Sequence, residues 1–251
     1  MPTPFDFLEL DGKLNADQRA LRLQVRRFVE EVVKPNINPY WERAEFPHEI
    51  VQQMKGLPIW GGMLQGYGCA GLDAVSNGLV RYELGRGDGS IGTFYGVHSG
   101  LAMGSIGKLG SEEQKARWLP AMARLEKIGA FGLSEPERGS DAVHVLTTAV
   151  QDGDSYILNG AKRWIGNAEI ADILIIWARD DQNQFGGFVI ENPRQTQGVT
   201  MQNIGGKISK RAVLNADITL ENVRVPAENR LAHTTSFRDT SEVLAYTRYS
   251  I

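Results

Sequence analysis

Two stretches of the sequence decide how this chain is interpreted. The first reads Phe131-Gly132-Leu133-Ser134-Glu135-Pro136-Glu137-Arg138-Gly139-Ser140-Asp141, and the second, further along, reads Trp164-Ile165-Gly166-Asn167. Both combine large apolar side chains with glycine and with a small hydroxyl or amide side chain. Because two spaced signatures restrict function far more than one, the rest of the chain is best interpreted outward from them.

Together the two stretches resemble the flavin-binding core of the acyl-CoA dehydrogenases. In that family the first segment runs along one side of FAD and the second covers another part of the isoalloxazine. Their site is a cleft between a helical domain and a small β-domain. The similarity extends from Asp17 to Arg248, through the segments 66–68, 110–115 and 225–229. It implies a flavoenzyme that acts on acyl-CoA thioesters.

Within that family the chain is most similar to the glutaryl-CoA dehydrogenases and to the plant peroxisomal short-chain acyl-CoA oxidases. The segments 40–47 and 162–167 carry this narrower resemblance, together with Gly92-Thr93-Phe94 and Val97-His98-Ser99. The resemblance covers the N-terminal and middle domains of the family only.

Composition agrees with a globular enzyme but does not identify one. The chain has 251 residues, 42% of them hydrophobic, which suffices for one large core or two smaller ones. A net charge of -3 gives no electrostatic case for binding nucleic acid or inserting into an anionic membrane surface. The single cysteine, Cys69, excludes an internal disulfide framework and favours a reducing compartment.

No targeting signal or membrane-spanning run is visible in the sequence. The expected location is therefore the cytoplasm for a bacterial protein, and the mitochondrial matrix or peroxisome for a eukaryotic one.

Apolar residues recur at helical spacing from Leu21 to Val32, and Pro35 is expected to end that helix. Helices are predicted up to about Glu126. Pro47 is expected to begin a short helix, and the glycine cluster 61–71 is expected to be a loop.

Two capping signals predict where further helices begin. Asp73 is expected to cap a helix that runs to about Arg86. Ser111 and Gln114 form a capping box, which predicts another helix from that point.

From Ala130 onward the sequence changes to β-branched and alternating runs, separated by turn dipeptides. The dipeptides are Asp152-Gly153, Asn159-Gly160 and Gly186-Gly187. The predicted strands, enough for a small barrel-like sheet, are 147–150, 156–158, 173–178, 188–190 and 216–220.

A last helix is predicted after a polar connection, where Asp239 and Glu242 form a capping signal ahead of Val243 and Leu244. No glycine, asparagine or proline ends this helix before Ile251, which favours a truncated chain over a natural terminus that frays.

The predicted fold is therefore an α+β multidomain protein. An N-terminal α-helical domain (1–128) precedes a middle small β-barrel domain (129–235) that carries the flavin and acyl-CoA cleft. Residues 236–251 begin a C-terminal helical-bundle domain, the remainder of which is missing.

A flavin is a large apolar ring with a polar edge, so its site needs flat hydrophobic cover and a few fixed hydrogen-bond donors. Phe131, Leu133, Trp164 and Ile165 can supply the cover, while Ser134 and nearby backbone N–H groups can supply the donors. The resemblance implies that the following residues contact FAD: Phe131, Gly132, Leu133, Ser134, Gly139, Ser140, Trp164, Ile165 and Gly166.

The resemblance also implies a substrate side of the site. Its residues are Gly92, Thr93, Ser140, Leu244 and Arg248. Gly92 and Thr93 stand where glutaryl-CoA dehydrogenases place an arginine and a serine for a substrate carboxylate. Because an unpaired buried carboxylate is costly, the glycine favours a monocarboxylic acyl chain of short or medium length.

Gly166 departs from the family pattern, since most of these dehydrogenases carry Ser or Thr there, near flavin N5. The plant oxidases share the glycine. Electron-transfer flavoprotein and molecular oxygen therefore both remain candidate electron acceptors.

The family reaction is α,β-dehydrogenation to a trans-2-enoyl-CoA, with a glutamate as the general base. One of the two family positions for that glutamate aligns with Thr247, whose hydroxyl is too weak a base. We therefore expect the base downstream of Ile251, and this segment alone to be inactive. A homo-oligomer, dimer or tetramer, is also expected by resemblance.

Other patterns carry less weight. Gly87-Asp88-Gly89-Ser90-Ile91-Gly92 matches a dinucleotide fingerprint, but it follows a helical pattern rather than a strand. The four histidines have no metal-ligand spacing, so no metal site is expected. Three functions remain open: an acyl-CoA dehydrogenase, an acyl-CoA oxidase, and a non-catalytic fragment that binds CoA or a partner.

Overall fold

A computed structural model describes residues 9–248 of the chain, except for the side chain of Tyr246. Helices make up its first half, as the sequence predicts. They are α1 (Ala16–Phe28), α2 (Lys34–Arg43), α3 (His48–Met54), α4 (Ala74–Gly87), α5 (Gly89–Tyr95), α6 (Met103–Leu109) and α7 (Glu112–Ala123).

The prediction that Pro35 ends the first helix is wrong. A π-helical segment, Val29–Val33, joins α1 to α2 without a break. In this segment the N–H of Lys34 donates to the carbonyl of Val29, five residues back. Pro35 is the second residue of α2, directly after the π-helical segment, and the helix continues through it.

The predicted starts of α4 and α7 are confirmed. The Asp73 carboxylate accepts the N–H of Ser76 at 2.7 Å and caps α4. At α7 both halves of the capping box form between Ser111 and Gln114. Pro47 directly precedes α3, and the glycine cluster 61–71 contains no helix or strand.

Within the described residues, seven strands form one curled sheet with the shape of a half-barrel. The strands are β1 (Gly129–Gly132), β2 (Thr148–Asp152), β3 (Ser155–Gly166), β4 (Ile173–Asp180), β5 (Phe185–Glu191), β6 (Val199–Asn203) and β7 (Asn215–Pro226). The order across the sheet is β1-β4-β2-β3-β7-β6, and β5 pairs with the other edge of β4. β1 pairs with β4 in parallel, so the first motif, which begins in β1, lies beside β4.

Of the three predicted turn dipeptides, only Asp152-Gly153 lies at a turn, between β2 and β3. Asn159-Gly160 lies inside β3, at a β-bulge. The Asn159 side chain bonds Asn222 on β7 instead of closing a turn. A Cβ at Gly160 would lie 2.6 Å from the hydroxyl oxygen of Thr147, so this glycine permits a close approach of two chain segments.

Gly186-Gly187 also lies inside a strand, β5. Gly187 stands opposite Trp177 on β4, and a Cβ there would lie 3.3 Å from the indole ring. Gly187 therefore makes room for Leu231 and the Trp177 ring, and the chain turns earlier, at 181–184.

Strand β4 is buried on both faces. Ile173, Ile175 and Trp177 face a core shared with α6, α7 and α8, whereas Leu174 and Ile176 face the interior of the sheet. A separate core fills the space between the other helices. The shared core fixes the sheet against the helical region, and so fixes the cleft between them.

The last helix, α8, is Phe237–Arg248, and its cap lies three residues before the predicted one. Asp239 does not stand before the helix but inside its first turn, where its carboxylate accepts the N–H groups of Thr235 and Ser236. The capping pair is therefore Ser236 with Asp239, rather than Asp239 with Glu242. The prediction that no residue before Ile251 ends this helix concerns residues 249–251, which lie outside the described residues.

Candidate functional site

The two sequence motifs meet in the structure. The first follows β1, and the second forms the end of β3. The N–H of Arg163 donates to the carbonyl of Ser134 at 2.8 Å, directly beside Trp164. This bond joins the two segments where the site residues are predicted.

A buried ion pair reinforces that junction. The Lys162 ammonium lies 2.8 Å from a Glu135 carboxylate oxygen, and it also donates to the carbonyl of Leu133 at 3.3 Å. The Lys162 side chain is wholly buried. The Glu135 carboxylate further accepts both N–H groups of Leu146 and Thr147, and the Thr147 hydroxyl. The pair thus ties the first motif to β3 and to the start of β2.

Burial and the neighbouring charges together set the pKa values of this pair. Burial lowers the pKa of Lys162 from 10.5 to about 8, against the opposing attraction of Glu135. For Glu135, burial favours the neutral acid, but the Lys162 charge and the N–H donors outweigh it and hold the pKa below its usual range.

Of the four side chains expected to cover a flavin ring, only Trp164 presents a large surface. Its residue is 53% exposed, whereas Phe131, Leu133 and Ile165 are 3–7% exposed and pack in the cores of the protein. The three buried side chains have almost no exposed surface, because β1 and β3 turn Phe131 and Ile165 inward and Leu133, directly after β1, packs in the same core as Phe131.

The backbone at Trp164 is unusual. Its φ of 62° lies in the left-handed region, within a β-bulge of β3. A bulge re-aims a side chain, and a left-handed residue other than glycine is held there at a cost in free energy. The bulge therefore leaves a flat indole facing outward from β3.

Hydroxyl groups accompany this indole. Ser134 is half-buried and Ser140 is exposed. Within residues 9–248 neither side-chain hydroxyl is hydrogen-bonded to another protein group. An outward-facing aromatic plane beside available donors fits the requirements of a flavin. Gly139, also exposed, has open space where a Cβ would stand.

Gly166 connects the flavin-type motif to a second feature, a cavity. A Cβ at Gly166 would lie 3.2 Å from a methyl group of Val97. Val97 lines the cavity together with Gly92 and Thr93, both predicted substrate residues. The structure thus brings Gly92, Thr93 and Gly166 to one place.

Thr247 also lines this cavity, from α8. Its hydroxyl donates to the helix carbonyl of Leu244 at 3.0 Å, which leaves it in no position to abstract a proton. The two predicted substrate residues on α8, Leu244 and Arg248, do not line the cavity. Leu244 packs against the shared core, and Arg248 is exposed.

The end of the second motif is anchored by Asn167. Its side-chain amide donates to the carbonyls of Phe94 and Gly129, each at 3.3 Å. His98 makes a similar link, since its Nδ1 accepts the N–H of Gly129 and its Nε2 faces the carbonyl of Met122. Burial lowers the pKa of His98 to about 4, so the imidazole is neutral and structural.

Sequence reasoning assigned no role to Glu135, Lys162, Val97 or Arg81, the last of which also lines the cavity. A glutamate inside the first motif and a lysine two residues before the second were the available signal for the ion pair. Nothing in the sequence pattern pointed to Arg81. Among residues 9–248, no group of His, Cys, Asp and Glu side chains could hold a metal ion, and no helix is long and apolar enough to cross a membrane.

Comparison with known proteins agrees with the geometry. Residues 15–126 match the acyl-CoA dehydrogenase N-terminal domain, and residues 130–223 match the acyl-CoA dehydrogenase middle domain. A short-chain-specific acyl-CoA dehydrogenase of Clostridium acetobutylicum is 34% identical over 227 residues, which is 88% of this chain and 59% of that protein.

Solved structures give the same result. A glutaryl-CoA dehydrogenase of Mycobacterium smegmatis in complex with FADH2 superposes with a TM-score of 0.92 at 39% identity, over 97% of this chain and 62% of that one. Butyryl-CoA dehydrogenase of Megasphaera elsdenii superposes with a TM-score of 0.87 at 27% identity, over 94% and 64%. The chain thus spans about six-tenths of the length of these relatives. It belongs to the acyl-CoA dehydrogenase family and carries that family's N-terminal and middle domains.

Proposed function

We propose that the protein containing this chain binds FAD and oxidises an acyl-CoA thioester to the trans-2-enoyl-CoA. The observation that carries the proposal is the outward-facing indole of Trp164 beside Ser134, at the junction of two motifs that match the family. The bound FAD supplies the hydride acceptor for the β-hydrogen.

The residues of this chain hold and orient the reactants. Trp164 covers one face of the ring, and the Ser134 hydroxyl and nearby backbone N–H groups donate to its polar edge. The Ser140 hydroxyl reaches the acyl-CoA. The cavity that begins at Gly166 and Val97 receives the acyl group and keeps water away from it.

The proton acceptor is a glutamate encoded downstream of Ile251. Thr247 supports this placement. At this family position the chain carries a hydroxyl, bonded to a helix carbonyl, in place of a carboxylate. General-base catalysis contributes about two to four orders of magnitude, so residues 1–251 by themselves should be nearly inactive.

A second candidate function is an acyl-CoA oxidase, and Gly166 favours it. Gly166 has no side-chain hydroxyl that could donate a hydrogen bond. The nearest group to a Cβ at this position would be a methyl group of Val97. Gly166→Thr should slow reoxidation of the reduced flavin by oxygen relative to reoxidation by an electron-transfer flavoprotein. Equal oxygen rates in stopped-flow measurements on both proteins would remove this candidate.

The remaining parts of the proposal rest on family membership. They are a division at 1–128, 129–235 and 236–251, a dimeric or tetrameric assembly, and a location in the bacterial cytoplasm or in a eukaryotic matrix or peroxisome. Among substrates, acyl chains of short or medium length are favoured. Gly92 itself carries no charge that could pair with a substrate carboxylate.

The flavin site is tested with Trp164→Ala in the full-length protein. Loss of the exposed indole should weaken FAD binding, measured by titration of the apoprotein with FAD and by the visible spectrum. Trp41→Ala is the matched control, because Trp41 is 40% exposed but lies on α2, outside both motifs, and packs against Arg211. Unchanged FAD affinity in Trp164→Ala would show that the site is wrongly placed.

The reaction is tested by anaerobic titration with butyryl-CoA or octanoyl-CoA, following bleaching of the flavin band. The full-length protein should bleach rapidly, and residues 1–251 should not. Equal rates would place the base within these residues. Tight CoA binding without any bleaching in the full-length protein would instead support the non-catalytic alternative.

A further inference from the structure

The left-handed backbone of Trp164 lies in a gap of the sheet. The pairing of β3 with β7 is interrupted between Lys162 and Ile165, so the ladder does not hold Trp164 itself. On the N-terminal side, the N–H of Arg163 donates to the carbonyl of Ser134. A left-handed residue other than glycine persists only where its surroundings fix it, so a second contact is needed on the C-terminal side.

That second contact comes from Asn215, the first residue of β7. Its side-chain Nδ2 donates to the carbonyl of Trp164 at 3.2 Å. The same nitrogen lies 3.7 Å from where a Cβ of Gly166 would stand, and Asn215 is the pairing partner of Gly166 across β3 and β7. The half-buried Asn215 amide therefore lies against two of the four residues of the second motif.

Lys207 determines which way the Asn215 amide points. The Lys207 ammonium donates to Oδ1 of Asn215 at 2.8 Å. An ammonium group can only donate, whereas the Trp164 carbonyl can only accept. The amide oxygen must therefore face Lys207 and the amide nitrogen must face Trp164, because a flipped amide would lose both hydrogen bonds.

Lys207 is itself fixed by the loop that carries it, residues 204–214 between β6 and β7. Its ammonium also donates to two backbone carbonyls of this loop. Arg211 donates to the carbonyl of Lys207 and to the carbonyls of Trp41 and Glu42 at the end of α2, each at 2.9 Å. Because these acceptors are backbone groups, the link to the helical region does not require a particular side chain on α2.

We propose that Asn215 is a positioning residue of the flavin site, whose amide, oriented by Lys207, holds the Trp164 carbonyl and so holds the indole in the direction that covers the flavin. The inference rests on the proposed function, which assigns that cover to Trp164. An indole that is already in place before FAD binds spares the ligand the cost of ordering it. Loss of the Asn215 contact should therefore weaken FAD binding.

Asn215→Asp tests this contact at constant side-chain size. A carboxylate still accepts from Lys207, but it cannot donate to the Trp164 carbonyl. In the full-length protein, FAD affinity should fall about threefold to tenfold, which is the loss expected for one hydrogen bond. Titration of the apoprotein with FAD measures it. Asn215→Ala, which adds no charge, should give a similar loss, and wild-type affinity in Asn215→Ala would overturn the inference.

The direction of the indole is measured separately, in the full-length apoprotein labelled with 5-fluorotryptophan. In the 19F NMR spectrum, the Trp164 resonance is the one that Trp164→Phe removes. This resonance should shift or broaden in Asn215→Asp and in Asn215→Ala, while the other tryptophan resonances stay in place. If all of the tryptophan resonances move together, Asn215 supports the fold in general and the proposed role is wrong.

Asn159→Asp is the matched control. Asn159 lies at the other bulge of β3, and its amide donates to Asn222 on β7 at 3.2 Å. The substitution removes a donor and adds a charge, as Asn215→Asp does, but it should change neither FAD affinity nor the Trp164 resonance. Equal effects of the two substitutions would overturn the inference.

Lys207→Met tests the orientation of the amide. It should change FAD affinity and the Trp164 resonance in the same direction as Asn215→Asp but by less, because Asn215 can still donate to Trp164. A larger effect for Lys207→Met would assign the position of Trp164 to the loop 204–214 rather than to Asn215.

The outcomes separate this inference from the proposed function. If Trp164→Ala weakens FAD binding while both Asn215 variants keep wild-type affinity and an unchanged Trp164 resonance, the proposed function stands and the role of Asn215 is wrong. If Trp164→Ala itself leaves FAD affinity unchanged, the proposed flavin site fails, and the inference fails with it.

Discussion

Two buried carboxylates stabilise two regions of this protein in different ways. In the helical region, Glu83 on α4 meets three arginines at 2.7–3.0 Å, namely Arg22, Arg26 and Arg86. At the junction of the two flavin-type motifs, Glu135 meets one cation, Lys162. Both carboxylates are almost completely buried, at 0% and 3% side-chain exposure.

The two carboxylates differ in the number of cations that surround them and in how well those cations reach solvent. The three arginines keep 11–29% of their side chains in contact with solvent, and two of them also pair with other carboxylates. Burial disfavours the Glu83 charge, but the arginine hydrogen bonds outweigh it and lower the pKa of Glu83. By contrast, Lys162 has no solvent contact. The loss of one cation should therefore matter little at Glu83 and greatly at Glu135.

The largest effect is expected for Lys162→Met. It leaves the Glu135 carboxylate buried without its cation, which costs about 3–5 kcal/mol in free energy of unfolding. Because Lys162 also bonds the carbonyl of Leu133, FAD affinity should fall as well. Urea denaturation and FAD titration measure the two losses.

The double variant Lys162→Met/Glu135→Gln is the control. With both charges removed, much of the stability should return, because no uncompensated charge remains buried. A double variant as unstable as the sum of both single variants would show that the two charges do not depend on each other.

The second-largest effect is expected for Glu83→Gln, which should lower the free energy of unfolding by about 2 kcal/mol. The neutral amide cannot satisfy three guanidinium groups, but each of these groups reaches water, so the loss is smaller than at Lys162. Glu31→Gln, at an exposed position of the π-helical segment between α1 and α2, is the control and should cost almost nothing. A larger loss for Glu83→Gln than for Lys162→Met would reverse the comparison.

The helical region could largely be predicted from sequence because its signals are local. Asp73 and the Ser111 box mark helix starts through hydrogen bonds that span three residues. Pro35 was misjudged because a π-helical segment precedes it, and no local propensity encodes such a segment.

The sheet was harder to predict, since its strands depend on distant partners. β4 was found because both of its faces are buried, so it appears as a continuous apolar run. β1 and β6 were missed, being short and, in β6, mostly polar. Gly160 and Gly187 resemble turn residues in sequence, but they accommodate Thr147 and Trp177 from other strands.

At the site, sequence resemblance supplied the motifs but could not supply orientation. It grouped Phe131 and Ile165 with Trp164, whereas only Trp164 faces outward. The difference arises from the bulge in β3, which depends on pairing with β7. Arg81 lies eleven residues from Gly92 in sequence and reaches the same cavity only because α4 packs against α5.

The third prediction is that the titration of Lys162 makes the free energy of unfolding depend on pH. Its pKa is about 8 in the folded protein and 10.5 in the unfolded chain, so between these values the unfolded chain binds a proton that the folded protein does not. Stability should therefore rise with pH across that window, by at most about 1.4 kcal/mol per pH unit. The difference between the wild type and Lys162→Met, measured by denaturation from pH 7.5 to pH 10 (roughly this window), isolates the contribution. A difference that stays constant with pH would show that Lys162 is not the titrating group.

The smallest effect is expected for Arg86→Met, and it tests the redundancy directly. Arg86 bonds Glu83 at 3.0 Å and Glu30 at 2.8 Å. After its removal Glu83 keeps Arg22 and Arg26, and Glu30 keeps Lys34, so no carboxylate loses its last cation. The methionine also preserves the apolar stem that packs along α4. The loss in free energy of unfolding should therefore be about 0.5–1 kcal/mol, several times less than for Lys162→Met under the same urea conditions. A loss equal to that of Lys162→Met would mean that Glu83 depends on each arginine separately, and that the helical region is as sensitive to the loss of one cation as the site is.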